Sequence, residues 1–100
     1  MALSIDINVG ADLLLAFPEA NTSESMYRYA TQLDSMLSAE YPEADVSWTT
    51  HTRSGHTVRI QVEDEINDLD WQERDQIEQN CREISNRLWE SQTWLVLADA

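Results

Sequence analysis

Carboxylates and indoles are the reactive and adhesive groups that this sequence concentrates. Residues 63 to 90, EDEINDLDWQERDQIEQNCREISNRLWE, hold ten of the nineteen carboxylates and two of the four tryptophans. Asp70-Trp71-Gln72-Glu73 has capping-box spacing, so a helix is expected to start there. Asp68, Asp70, Glu73 and Asp75 crowd the positive end of its dipole. On a helical wheel Ile77, Cys81, Ile84 and Leu88 form a narrow apolar stripe. Trp71, Asp75, Glu78, Arg82 and Trp89 form a second line, roughly 120° away from it. Two readings of that line stand side by side. Either both indoles fold over the rim of the core, or they flank an acidic contact surface. On the second reading the partner-binding residues are Asp64, Glu65, Asp68, Trp71, Asp75, Glu78, Arg82 and Trp89.

The basic side chains cannot offset these acids. The chain has six arginines, no lysine and a net charge of −13, with a pI near 4.1. Arg28, Arg74, Arg82 and Arg87 each follow an acid by four residues, the favourable order for a helical ion pair worth about 0.2–0.5 kcal/mol. With four arginines so engaged, no basic face can assemble, and direct nucleic-acid binding through such a patch is not expected. The same charge repels anionic membranes and attracts basic surfaces.

Other chemistries find no scaffold. Cys81 is the single cysteine and lies on the apolar stripe, which reads as a sheltered thiol with acidic neighbours that would not stabilise a thiolate. The acids of residues 63 to 70 lack the central glycine and terminal glutamate of a calcium-binding EF-hand loop. No serine sits on a nucleophile elbow and no glycine-rich loop could hold a phosphate. Paired carboxylates on a solvated helix lack the separated environments that an acid–base dyad needs. No enzyme, metal or cofactor is expected.

The elements that must position these groups can be read in order. Residues 3 to 17 alternate, with Ile5, Ile7, Val9, Ala11, Leu13, Leu15 and Phe17 on one parity. They read as one bent strand or as a hairpin turning at Gly10, the latter slightly favoured. After Pro18, Asn21 caps a helix that runs to about Glu40, with Met26, Tyr29, Ala30, Leu33, Met36 and Leu37 facing the core and Tyr27 facing away. Residues 45 to 63 read as a hairpin with the three-residue loop Arg53-Ser54-Gly55. That odd loop pairs Val46 with Val62, Trp48 with Ile60 and Thr50 with Val58 on one face. Ser47, Thr49, His51, Thr57, Arg59 and Gln61 take the other face, solvated or available to a ligand. In this register the two histidines, His51 and His56, diverge, which excludes a shared metal. Thr93 to Ala98 reads as a final strand, buried on both faces or at a partner edge.

These elements predict one domain over residues 1–100, of the α+β class. Two helices would pack on one face of a mostly antiparallel sheet of four or five strands. That is a ferredoxin-like βαββαβ plan, or a variant with an N-terminal hairpin. No basic leader and no apolar run of spanning length occur, so a soluble, cytoplasmic protein is expected.

In type, such small, lysine-free, strongly acidic domains resemble phage-encoded anti-defence proteins, including anti-CRISPR inhibitors, although no motif carries the likeness. The resemblance implies a non-enzymatic inhibitor or regulator, working in the host cytoplasm, that occupies the nucleic-acid-binding surface of a protein. Carboxylates one helical turn apart, about 5–6 Å, approximate the spacing of phosphates along a strand. The alternative is a structural or adaptor protein of a salt-adapted cell that associates with itself through its tryptophans. Monomer and homodimer both remain open.

Overall fold

The strongest apolar alternation in the chain becomes its central strand. The protein is seen here as a computed structural model that describes residues 3–51, 56–64 and 70–97. Strand β1 spans Leu3–Gly10 and buries Leu3, Ile5, Ile7 and Val9 on one face. A 3-10 turn, Ala11–Leu14, leads toward helix α1, Thr22–Glu40. Strand β2 is Asp45–His51, strand β3 is Val58–Asp64, and helix α2 is Trp71–Ser91. The sheet has three strands in the order β2-β1-β3. Strand β1 runs parallel to β2 and antiparallel to β3.

This corrects the expected architecture. The class is α+β, but the sheet is mixed and three-stranded, neither mostly antiparallel nor of four or five strands, and the ferredoxin-like plan fails with it. Strands β2 and β3 flank β1 and do not pair with each other. The expected cross-strand partners nonetheless share rows. Val46 and Val62 both pair with Ile5, Trp48 and Ile60 with Ile7, and Thr50 and Val58 with Val9. Each supposed pair has a β1 residue inserted between its members. Burial explains the insertion: Ile5, Ile7 and Val9 are the most apolar row centres, and only the middle position covers them on both sides. Helix α1 supplies the crossover that a parallel β1–β2 pair requires. The Arg53-Ser54-Gly55 loop lies outside the described residues.

The N-terminal alternation also ends earlier than its parity implies. Only the first eight residues form a strand; there is no hairpin. Beyond Gly10 the consecutive Leu13 and Leu14 are both buried, whereas Leu15 is 75% exposed. Turn geometry has replaced the two-residue period there. Gly10 marks the change because the chain presses against it: a Cβ at this position would lie 2.0 Å from the His56 carbonyl oxygen. Two backbone bonds hold that crossing, Gly10 N–H to Thr57 O at 2.6 Å and Asp12 N–H to His56 O at 3.2 Å.

Both helices cover the apolar face of the sheet, with α1 against β1 and β2 and α2 against β3. Asn21 caps α1, its Oδ1 accepting from the Glu24 N–H at 3.1 Å, and Asp70 caps α2 through the Glu73 N–H at 2.8 Å. Met26, Tyr29, Ala30, Leu33 and Leu37 of α1 meet Cys81, Ile84 and Leu88 of α2 in one core. Met36 belongs to the exposed large apolar residues, not to the core face. Between the helices Tyr29 Oη donates to the Ser85 carbonyl at 2.7 Å and shares a second hydrogen bond with the Ser85 hydroxyl.

Among the described residues, which end at Leu97, the C-terminal segment forms no sheet strand, contrary to the expectation for residues 93 to 98. Gln92 adopts a left-handed conformation, φ 58°, that turns the chain off α2. Trp94 then enters the core with no exposed surface and stacks edge-on against Tyr29 and Phe17. Its Nε1–H donates to the carbonyls of Leu88 at 3.0 Å and Trp89 at 3.3 Å. Val96 is tied to the start of α1: its carbonyl accepts from the Asn21 N–H at 2.7 Å, and its N–H donates to Ser25 Oγ at 3.0 Å. A single bridge joins Ala20 and Leu97. The apolar run is therefore a plug over the helix ends, since its largest side chain fits between the aromatic rings and not on a sheet.

Candidate functional site

The N-terminal half of α2 carries the surface that the sequence singles out. Asp70 and Glu73 satisfy the first turn, and an N-terminal helix end favours their charge. Trp71, the first helical residue, is 69% exposed. One turn on, exposed Asp75 accepts from Gln79 Nε2 at 3.0 Å. Glu78 and Arg82 follow on the same line, their charged groups 3.7 Å apart in an (i, i+4) pair. Trp89 lies five turns from Trp71, about 27 Å along the axis.

Depth separates the two indoles. Trp89 is half-buried and packs on the core, its ring centroid 5.7 Å from that of Phe17. The rim reading therefore holds for Trp89, whereas Trp71 stands in solvent. The line that the helix brings together is Trp71, Asp75, Glu78 and Arg82. Glu65 and Asp68 lie outside the described residues, as does the side chain of Asp64, whose backbone ends β3 opposite Leu3.

The expected arginine pairing is sparser than the spacing suggests. Among the described residues Arg82–Glu78 is the ion pair formed. Arg28, Arg74 and Arg87 have no carboxylate within 4 Å there, in keeping with the small worth of exposed pairs. Cys81 sits directly beneath this surface, fully buried. Burial, reinforced by the nearby charges of Glu78 and Glu40, pushes its thiol up to about 11. It stays protonated and unreactive at neutral pH.

The open face of the sheet holds a second group of polar side chains. Ser47 Oγ donates to Asp6, and Thr49 Oγ1 donates to Asn8 Oδ1 at 2.7 Å. His51 Nε2 lies 3.1 Å from the same Asn8 oxygen. The histidines do not diverge, as the hairpin register implied; their ring centroids are 5.9 Å apart. His51 pairs with Gly10 at the end of β1 and His56 lies over the same glycine, which sets the two rings side by side. His56 Nε2 is buried and has no hydrogen-bond partner among the described residues. Among the described residues no group of three or more His, Cys, Asp and Glu is placed to hold a metal ion.

Sequence reasoning missed the concavity beside α2. A cleft of about 470 Å³ opens between the 3-10 turn, the start of β3 and α2, lined by Leu13, Val58, Ile60, Arg82, Asn86 and Trp89 among others. It reaches the buried Tyr29–Ser85 pair, where desolvation raises the Tyr29 hydroxyl to about 12, partly opposed by its hydrogen bond to Ser85. No pattern in the sequence announces it, because its walls come from three elements whose adjacency follows from β1 lying between β2 and β3. Among the described residues no helix is long and apolar enough to cross a membrane. Comparisons with known protein families, with curated proteins and with solved structures each find no match to this chain.

Proposed function

We propose that this chain is a small, acidic, non-enzymatic binding protein that docks the N-terminal half of α2 on a basic, nucleic-acid-binding surface of a protein partner. The observation that carries the reading is Trp71. A large indole stands 69% exposed at the acidic end of a helix whose other apolar residues are turned inward. Hot spots favour such a ring, provided charges around it select the partner. Asp70, Glu73 and Asp75 supply those charges within one turn of it. A net charge of −13 speeds encounter with a basic target. Inhibition would follow from occupying the track that phosphates use, as phage anti-defence proteins do.

The alternative of self-association through a tryptophan cluster has less support. Trp94 is fully buried and Trp89 half-buried within the chain's own core. Among Trp71, Trp89 and Trp94, Trp71 is the one left exposed to a partner.

The test is a titration against a captured basic partner at two salt concentrations. Reversing Asp75 and Glu78 to Lys is expected to weaken binding by about 2–5 kcal/mol, the loss for desolvated contact charges. Reversing Glu19 and Glu43, both exposed, changes net charge equally and should mainly slow association. Trp71→Ala should lose affinity while retaining stability. Since Glu78→Lys also sets a like charge beside Arg82, circular dichroism checks the fold of each variant. Equal losses for the two reversals would reduce the effect to diffuse charge, and no loss in either would overturn the proposal.

A further inference from the structure

Strand β2 ends the sheet on one side, and among the described residues its outer edge is open. Residues 45 to 50 make their strand hydrogen bonds to β1 and no other backbone bond among the described residues. Proteins usually guard such an edge with charges, proline or a bulge. Here a quarter of all residues are charged, yet Val46-Ser47-Trp48-Thr49-Thr50 carries no charge at all. The other edge is different. Strand β3 bears Arg59 and Glu63, and Glu78 and Arg82 of α2 line a second hollow beside Arg59 and Gln61. The bare edge of β2 also has an aromatic margin, for exposed Tyr27 stacks edge-on against half-buried Trp48 with centroids 5.4 Å apart.

We infer that two copies of this chain pair antiparallel through their β2 edges, joining two three-stranded sheets into one. The strand is self-complementary when the two-fold axis passes at Trp48. Ser47 then lies opposite Thr49 of the second copy, and Val46 opposite Thr50. Each Asp45 faces a histidine, His51, and not the other Asp45. The Ser47 and Thr49 hydroxyls already donate to Asp6 and Asn8 within the chain, so what this register supplies is the absence of directly opposed like charges, which would destabilise a ladder. The pairing is isologous and closes at two copies, because the mate of each edge is the same edge.

Electrostatics gives the dimer a signature. Each copy carries a net charge of −13, so the copies repel at low ionic strength, and screening relieves that repulsion. Dimerisation should tighten with salt, while binding of a basic partner by α2 should loosen. The inference stands on the edge of the sheet and does not depend on the function proposed for α2.

Sedimentation velocity over a range of protein concentrations, at about 0.05 M and about 0.5 M salt, reads the result. Wild-type protein is expected to show a concentration-dependent dimer that grows with salt. Ser47→Lys with Thr49→Lys, both at exposed positions, should weaken dimerisation at least about tenfold by setting lysines opposite each other. Gln72→Lys with Gln79→Lys on exposed sites of α2 reduces net charge equally and should leave the dimer intact or tighter. A wild-type monomer at every concentration and salt would overturn the inference. So would edge variants that dimerise like wild type, or growth into species larger than a dimer.

Discussion

Gly10 holds its position because of what lies over it. Its backbone is in the extended region, so no left-handed conformation demands glycine. The demand comes from the His56 carbonyl, 2.0 Å from where a Cβ would stand. Gly10→Ala would push the crossing segment away and strain its bonds to Gly10 and Asp12. A loss of about 1–3 kcal/mol is expected in urea unfolding, the range for overpacked sites. The sequence flagged Gly10 as a breaker but could not show that a distant histidine sits on it. Cys81, by contrast, was legible, since a four-three-four spacing of apolar residues fixes which side of α2 faces inward. Its thiol near 11 and the Tyr29 hydroxyl near 12 bear on alkaline stability. Both lie above their ordinary values of 9.0 and 10.0, so the unfolded chain releases these protons first. The contribution of these two groups is fully present below pH 9 and is lost as pH rises through the folded values, each group accounting for up to about 2–3 kcal/mol. Urea midpoints at pH 8 and about pH 10.5 should show the fall, and Cys81→Ala should flatten part of it.

The ends of the helices were legible where a side chain does the capping and illegible where tertiary structure does it. Asn21 and Asp70 announce the two starts through their spacing to Glu24 and Glu73. The end of α2 has no glycine; Gln92 takes the left-handed turn, and the Trp94 indole covers the last carbonyls from outside. A left-handed non-glycine residue costs about 1–2 kcal/mol. Gln92→Gly is therefore expected to raise stability by about 0.5–1 kcal/mol after the added entropy of the unfolded glycine is counted, measured as a higher thermal midpoint. Trp94 looked like a strand residue because a compact apolar run fits a buried strand and a core plug equally well. In α2 the wheel placed Trp71 and Trp89 on one line correctly, but azimuth does not specify depth. Phe17, more than seventy residues before Trp89, decides which indole is covered.

At the scale of the molecule, parity was legible and neighbourhood was not. Alternation in residues 45 to 63 identified which side chains share a face, and all of those rows persist. It could not show that a third strand lies between them, because inserting β1 leaves every parity unchanged. The same limit explains the sheet's mixed sense: a strand pattern has no direction until its connection is known, and α1 makes β1 and β2 parallel. The acidic line on α2 was readable because it is local, and the cleft beside it was not because it is assembled across the fold. The shared rows also bear on how the chain reaches its native state. Segments 46–50 and 58–62 are in register for each other before β1 arrives, so they can zip into a short-range hairpin within microseconds. That hairpin has the native faces and the wrong neighbour, and it must open for the N-terminal strand to enter. Refolding is therefore expected to be slowed by competition between a near partner and a distant one, and stopped-flow refolding that stays single-exponential, with no rollover at low denaturant, would count against that trap.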